Sequence, residues 1–212
     1  MLVPVDAVRA AEHPLETLDA RAQMLAELSE ILTEVGADHA LIGGIAVGYH
    51  ARKRATVDVD MLVARDRLDV LADEFARRGY RIARTAEMVR VYPRDADVHE
   101  DDAIVDLVAW EANPVLTAAA SVASPAIVLG HRVRIVPRGA LVALKFHSAI
   151  SPRRALADRH QDIADLIRII EKQWTADDEA IAVKIAALSY PGADAELAAL
   201  VDDVRNHRKI RI

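Results

Sequence analysis

The sequence has no cysteine, and aromatic residues make up only 4% of its 212 positions. Without thiols there are no disulfides, thiolate metal sites or cysteine nucleophiles, and the absence fits a cytoplasmic protein. The two tryptophans, Trp110 and Trp174, read as core anchors rather than base-stacking platforms. No stretch approaches the ~20 consecutive apolar residues that a bilayer-spanning helix needs, so no membrane partner is expected. Residues 1–11 carry Asp6 and Arg9 and do not read as a secretory leader. What remains is 52% hydrophobic and 28% charged, which excludes wholesale disorder and allows one large domain or two small ones.

The formal net charge of -6 is unevenly spread. Residues 1–126 hold 13 Lys and Arg against 22 Asp and Glu, whereas residues 127–170 hold eight against three. A basic segment inside an acidic protein suggests a local anion site rather than a general nucleic-acid coat. An Arg-rich surface of no special role has the same appearance.

Hydrophobic spacing predicts a helix over residues 15–35, closed by Gly36, and a short strand over 39–42 that runs into Gly43-Gly44. A helix over 45–51, a strand over 57–63 and a helix over 67–78 follow. Strands over 87–92 and 103–110, a helix over 113–122 and a hairpin turning at Gly130-His131 complete this part. Beyond Pro137 only helices are expected, over 139–149, 153–170, 177–188 and 194–206. The fold class is therefore α/β (α+β): a core over residues 1–136 with an N-terminal helix, and a helical region over 137–212 packed on it.

Chemistry concentrates between Leu41 and Val63. Gly43 and Gly44 follow a strand and open a helix, where missing side chains and free N–H donors let a phosphate approach. Asp58 and Asp60 come next, after thirteen intervening residues. On a strand they project to one face, where like charges are unfavourable unless a cation neutralises them. Oxygen ligands of this kind suit Mg²⁺ or Mn²⁺. Asp106 interrupts an apolar strand and is costly there unless paired or bound to metal. A Gly-Gly turn is often only a turn, and Asp-x-Asp is often a solvated strand face. The conjunction of all three is what points to phosphoryl chemistry.

Further along, Lys145 lies in an apolar helix and, if buried, needs an anion; a triphosphate would serve, or the side chain could reach past the core edge to water. Asp158, Asp162 and Asp165 share one helical face, with Arg154 placed to pair with Asp158. His131, His147 and His160 have no ligand-like spacing.

Gly43-Gly44 followed by Asp58-Val59-Asp60 resembles the signature of the DNA-polymerase-β-like nucleotidyltransferase superfamily. The form Arg54-x-Thr56-x-Asp58-x-Asp60 looks most like its AbiEii/MenT branch, the nucleotidyltransferase toxins of bacterial toxin–antitoxin and abortive-infection systems. Asp106 is similar in position to the superfamily's third carboxylate, and Lys145 with a following helix of spaced Arg and Asp extends the likeness over residues 39–170. The resemblance implies a mixed-sheet nucleotidyltransferase core followed by a C-terminal helical bundle. It implies NMP transfer from an NTP to an acceptor hydroxyl. Asp58, Asp60 and Asp106 would hold metal, and Gly43, Gly44, Arg54, Thr56 and Lys145 would bind nucleotide. Lys145 and Asp162, the latter chosen among the three helical aspartates, would complete the catalytic set. The acceptor implied is the 3′ end of tRNA, with a cognate antitoxin as partner. The alternatives are nucleotidylation of an aminoglycoside, a lincosamide or a protein, or a non-catalytic nucleotide-binding partner protein.

Overall fold

The computed structural model describes residues 18–51, 56, 58–94 and 103–210. One seven-stranded mixed sheet organises the chain. The elements are α1 (Leu18–Glu34), β1 (His39–Leu41), α2 (Gly43–His50), β2 (Val59–Val63), α3 (Leu68–Arg77), β3 (Arg81–Arg84), β4 (Met88–Tyr92), β5 (Val105–Ala109), α4 (Pro114–Ser121), β6 (Ser124–Val128) and β7 (His131–Ile135). Four helices follow: α5 (Arg138–Ala149), α6 (Leu156–Lys172), α7 (Ala176–Ala186) and α8 (Ala193–Arg205). Strand order is β3-β4-β5-β2-β1-β7-β6, with β2/β5 and β1/β7 parallel and the other pairs antiparallel.

The period-2 pattern of the central strands gives the sheet two different faces. Val59, Met61 and Val63 of β2 and Val105, Leu107 and Ala109 of β5 are fully buried. Leu25, Leu28, Ile31 and Leu32 of α1 and Leu71, Ala72 and Phe75 of α3 are buried with them, in helices packed against these strands. The alternate residues, Asp60 and Leu62 on β2, Asp106 and Val108 on β5, and Met88 and Arg90 on β4, line a cavity on the opposite face. Closing that cavity are α2, α5 and α6.

Helix α5 is buried nearly all round and packs against both α6 and α7. A Cβ on Gly139 would overlap the Asp178 carbonyl oxygen, so glycine lets the start of α5 meet α7 backbone to backbone. Thr175 and Asp178 form a reciprocal cap that fixes the start of α7. One hydrophobic cluster joins sheet residues such as Leu41 and Ile135 to Leu141, Leu166 and Leu197 of the helical region.

Three local expectations need correction. The hairpin turns at Leu129-Gly130, one residue earlier than expected, with both residues at positive φ (49° and 88°) as a two-residue primed turn requires. Strand β3 lies where the hydrophobic spacing predicts no element: both ends are exposed Arg, and only the two residues between them are half-buried. Helix α6 starts at Leu156, not Arg153, so Arg153 and Arg154 precede it.

Candidate active site

Asp58, immediately before β2, and Asp60, within it, project together as their i, i+2 spacing requires. The parallel pairing of β2 with β5 places Asp106 opposite Asp60 in register. The three part-buried aspartates offer carboxylate oxygens all within 4.8 Å of one another. Among the described residues this is the one His/Cys/Asp/Glu cluster able to hold a metal. Burial first, then Asp58, then Asp106, pushes the Asp60 carboxyl up to about 7. Lys145 and a hydrogen bond donated by the Gly44 N–H pull in the other direction. Three carboxylates that repel each other at this range fit a divalent cation, which would relieve the repulsion.

Each aspartate has its own support. Thr56 Oγ1 donates to Asp58 Oδ1 at 2.9 Å, and Arg21 of α1 donates to the Thr56 carbonyl oxygen at 3.2 Å. Gly43 has φ +64°, and a Cβ there would overlap the Asp60 carboxylate. The first turn of α2 therefore lies directly against Asp60. Arg90 on β4 stands opposite Asp106 in the antiparallel register, with its Nε 3.6 Å from Asp106 Oδ1.

The far wall carries a second charged cluster. Lys145 Nζ donates to Asp162 Oδ1 at 2.8 Å and lies 3.1 Å from Asp165 Oδ2. Arg154 Nε donates to Asp162 Oδ2 at 2.7 Å, and Arg168 Nη1 donates to Asp165 Oδ1 at 2.9 Å. Asp162 and Asp165 are 1% and 0% exposed, so their burial is compensated by these ion pairs. Between the two clusters lies a cavity of about 520 Å³, bordered by Gly43, Asp60, Asp106, Lys145, Ser148 and Asp158 among others. That volume is in the range of small-ligand sites, about 300–1,000 Å³.

No protein-family model matches the sequence, and no curated protein matches it. Solved structures do match. A nucleotidyltransferase-like antigenic protein from Paracoccidioides brasiliensis aligns over 93% of this chain and 97% of its own, with TM-score 0.53 at 15% identity. The solution structure of the antibiotic-resistance factor ANT(2'')-Ia aligns over 91% of this chain and 100% of its own, with TM-score 0.55 at 13% identity. A crystal structure of ANT(2'')-Ia in complex with an adenylyl-tobramycin aligns over 79% and 97%, with TM-score 0.55 at 13% identity. The chain has the nucleotidyltransferase fold. At these identities the likeness is one of fold.

The structure brings together Gly43, Gly44, Thr56, Asp58, Asp60, Asp106, Lys145 and Asp162 around one cavity; Arg54 lies outside the described residues. Some local partners differ from the sequence expectation. The Gly44 N–H serves Asp60, and Thr56 serves Asp58. Asp162 and Asp165 supply the anion that a buried Lys145 needs. Arg154 pairs with Asp162 rather than Asp158, because it sits in the loop before α6, where i, i+4 spacing has no meaning. Arg21 and Arg90 were missed as contributors, whereas Asp165, weighed with Asp158 and Asp162, joins the favoured Asp162 at Lys145. Of the three, only Asp165 carried a signal, its place on the helical face shared with Asp158 and Asp162. Trp110 and Trp174 pack against the core, as expected.

Lys145→Met keeps the length of the side chain and removes its charge. Among the described residues it leaves the two buried aspartates with one arginine each, and it is expected to destabilise the protein by about 3 kcal/mol. Urea denaturation at neutral pH measures this, and a loss within about 0.5 kcal/mol would show that the two arginines suffice.

Proposed function

We propose that this protein is a metal-dependent nucleotidyltransferase that moves NMP from an NTP to an acceptor hydroxyl and releases pyrophosphate. The observation that carries the reading is the convergence of Asp58, Asp60 and Asp106 beside the Gly43-Gly44 turn, in a cavity large enough for a nucleotide. Asp58, Asp60 and Asp106 would hold Mg²⁺ or Mn²⁺, which when bound would neutralise the triphosphate and lower the pKa of the acceptor hydroxyl. The side-chain-free turn at Gly43-Gly44 lets the phosphates approach the backbone. Lys145, aimed by Asp162 and Asp165, uses its remaining N–H donor on the β- and γ-phosphates. Asp106 takes the proton from the acceptor hydroxyl as its oxygen bonds to the α-phosphorus and the α–β bridging bond breaks. Alignment and charge neutralisation supply most of the rate.

The acceptor with sequence support is the 3′ end of tRNA, which makes the protein the toxin of a toxin–antitoxin pair. A second reading, a small cationic antibiotic, draws on the match along the whole of ANT(2'')-Ia. It also draws on the fate of the basic segment 127–170, five of whose eight cations are in ion pairs within the chain: Arg134, Arg138, Lys145, Arg154 and Arg168. A pocket rich in carboxylates favours a cationic acceptor over a phosphate backbone.

The test incubates the protein with Mg²⁺ and each α-labelled NTP, with bacterial tRNA, aminoglycosides, lincosamides and cell protein as separate acceptors. Label on tRNA with steep salt dependence supports the toxin reading, and label on an antibiotic supports the second. Nucleotide binding without transfer to any acceptor would overturn the enzyme reading in favour of a non-catalytic binding protein.

A further inference from the structure

We propose that Arg90 is a resident counter-cation of the carboxylate triad, holding Asp106 beside Asp60 before a divalent cation arrives and setting how tightly that cation binds. The proposal rests on the metal-site reading above. Arg90 faces the cavity from β4, directly across the strand pair from Asp106, and is 25% exposed against 20% for its partner. Their separation of 3.6 Å makes them an ion pair. Asp60, Asp58 and Asp106 crowd their carboxylates within 4.8 Å, and each additional negative charge raises the cost of the cluster. Lys145 draws on Asp60 from the other wall, but its own charge is already engaged by Asp162 and Asp165. Arg90 is thus placed to offset the repulsion from the sheet side, by the same attraction through which it opposes a divalent cation at Asp106.

Two consequences follow, with opposite signs. Without metal, losing the Arg90 charge destabilises the protein; with metal, losing it removes a competitor. Arg90→Met and Arg90→Gln are therefore expected to lower the melting temperature in chelator by several degrees and to bind Mn²⁺ about tenfold tighter. Arg90→Lys keeps the charge and is expected to behave like the parent in both respects. The experiment titrates nucleotide-free protein with Mn²⁺, following free Mn²⁺ by electron paramagnetic resonance, and measures melting in chelator and in Mn²⁺. Asp60→Asn and Asp106→Asn serve as site controls.

A merely structural Arg90 lowers melting temperature without tightening Mn²⁺. Unchanged or weaker Mn²⁺ binding in both neutral variants, with binding lost in the aspartate controls, would overturn the counter-cation and leave the metal site standing. Mn²⁺ binding that persists in the aspartate controls would overturn the metal site itself, and the role of Arg90 with it. Should Arg90→Met fail to fold, Arg90→Gln still decides the sign.

Discussion

Asp60→Asn is expected to lower nucleotidyl transfer by at least about a thousandfold, a loss of about 4 kcal/mol of transition-state stabilisation. The same change is expected to make the metal-free protein more stable. Asp60 lies between Asp58 and Asp106, and its carboxyl is raised from 3.8 to about 7. The folded state therefore keeps a proton that the unfolded state has already released. The stability this contributes is fully present below about pH 4 and is lost as pH rises through about 7. Asparagine has no such dependence. Melting curves in chelator are expected to show the variant ahead of the parent, with a gap that widens between about pH 4 and about pH 7 and is level above that. Equal activity would remove Asp60 from the reaction, and a constant gap would remove the proton from the account.

The next largest effect belongs to Gly43→Ala. Its φ of +64° costs a β-carbon-bearing residue about 1–2 kcal/mol, before any contact is counted. The added methyl also overlaps the Asp60 carboxylate, so either α2 or Asp60 must move. A displacement of about 1 Å at a metal-binding carboxylate is expected to lower turnover about a hundredfold. Gly48→Ala is the internal control: it lies in the same helix, its Cβ would meet nothing within 4 Å, and alanine suits a helix interior better by about 0.5–1 kcal/mol. Stability is thus expected to fall in one variant and rise in the other, with turnover lost only in the first. Turnover within about twofold of the parent in Gly43→Ala would show that the turn does not position Asp60.

The sequence exposed those features that one element carries by itself. Alternation of apolar and acidic residues marks β2, and a lone aspartate in an apolar run marks β5, so Asp58, Asp60 and Asp106 were readable as a group. Gly43-Gly44 was readable because positive φ and close approach both select glycine. What escaped depends on which strands become neighbours. Arg90 looks like an ordinary solvent-side residue of β4 until β4 is placed beside β5, where it meets Asp106. Arg21 supports the site through a carbonyl, which leaves no trace in residue type. Lys145 and Asp165 are 20 positions apart and meet only because α5 and α6 pack together. Edge strand β3, partly exposed and bearing Arg at both ends, lacks the apolar alternation by which strands are found.

The most direct measurement is a crystal structure of the protein with Mn²⁺ and a non-hydrolysable NTP analogue, with manganese located by its anomalous signal. Manganese is expected among the oxygens of Asp58, Asp60 and Asp106, with the triphosphate between the Gly43-Gly44 turn and Lys145. Manganese elsewhere, or a nucleotide seated away from the three aspartates, would contradict the assignment of this cavity as a nucleotidyl-transfer site.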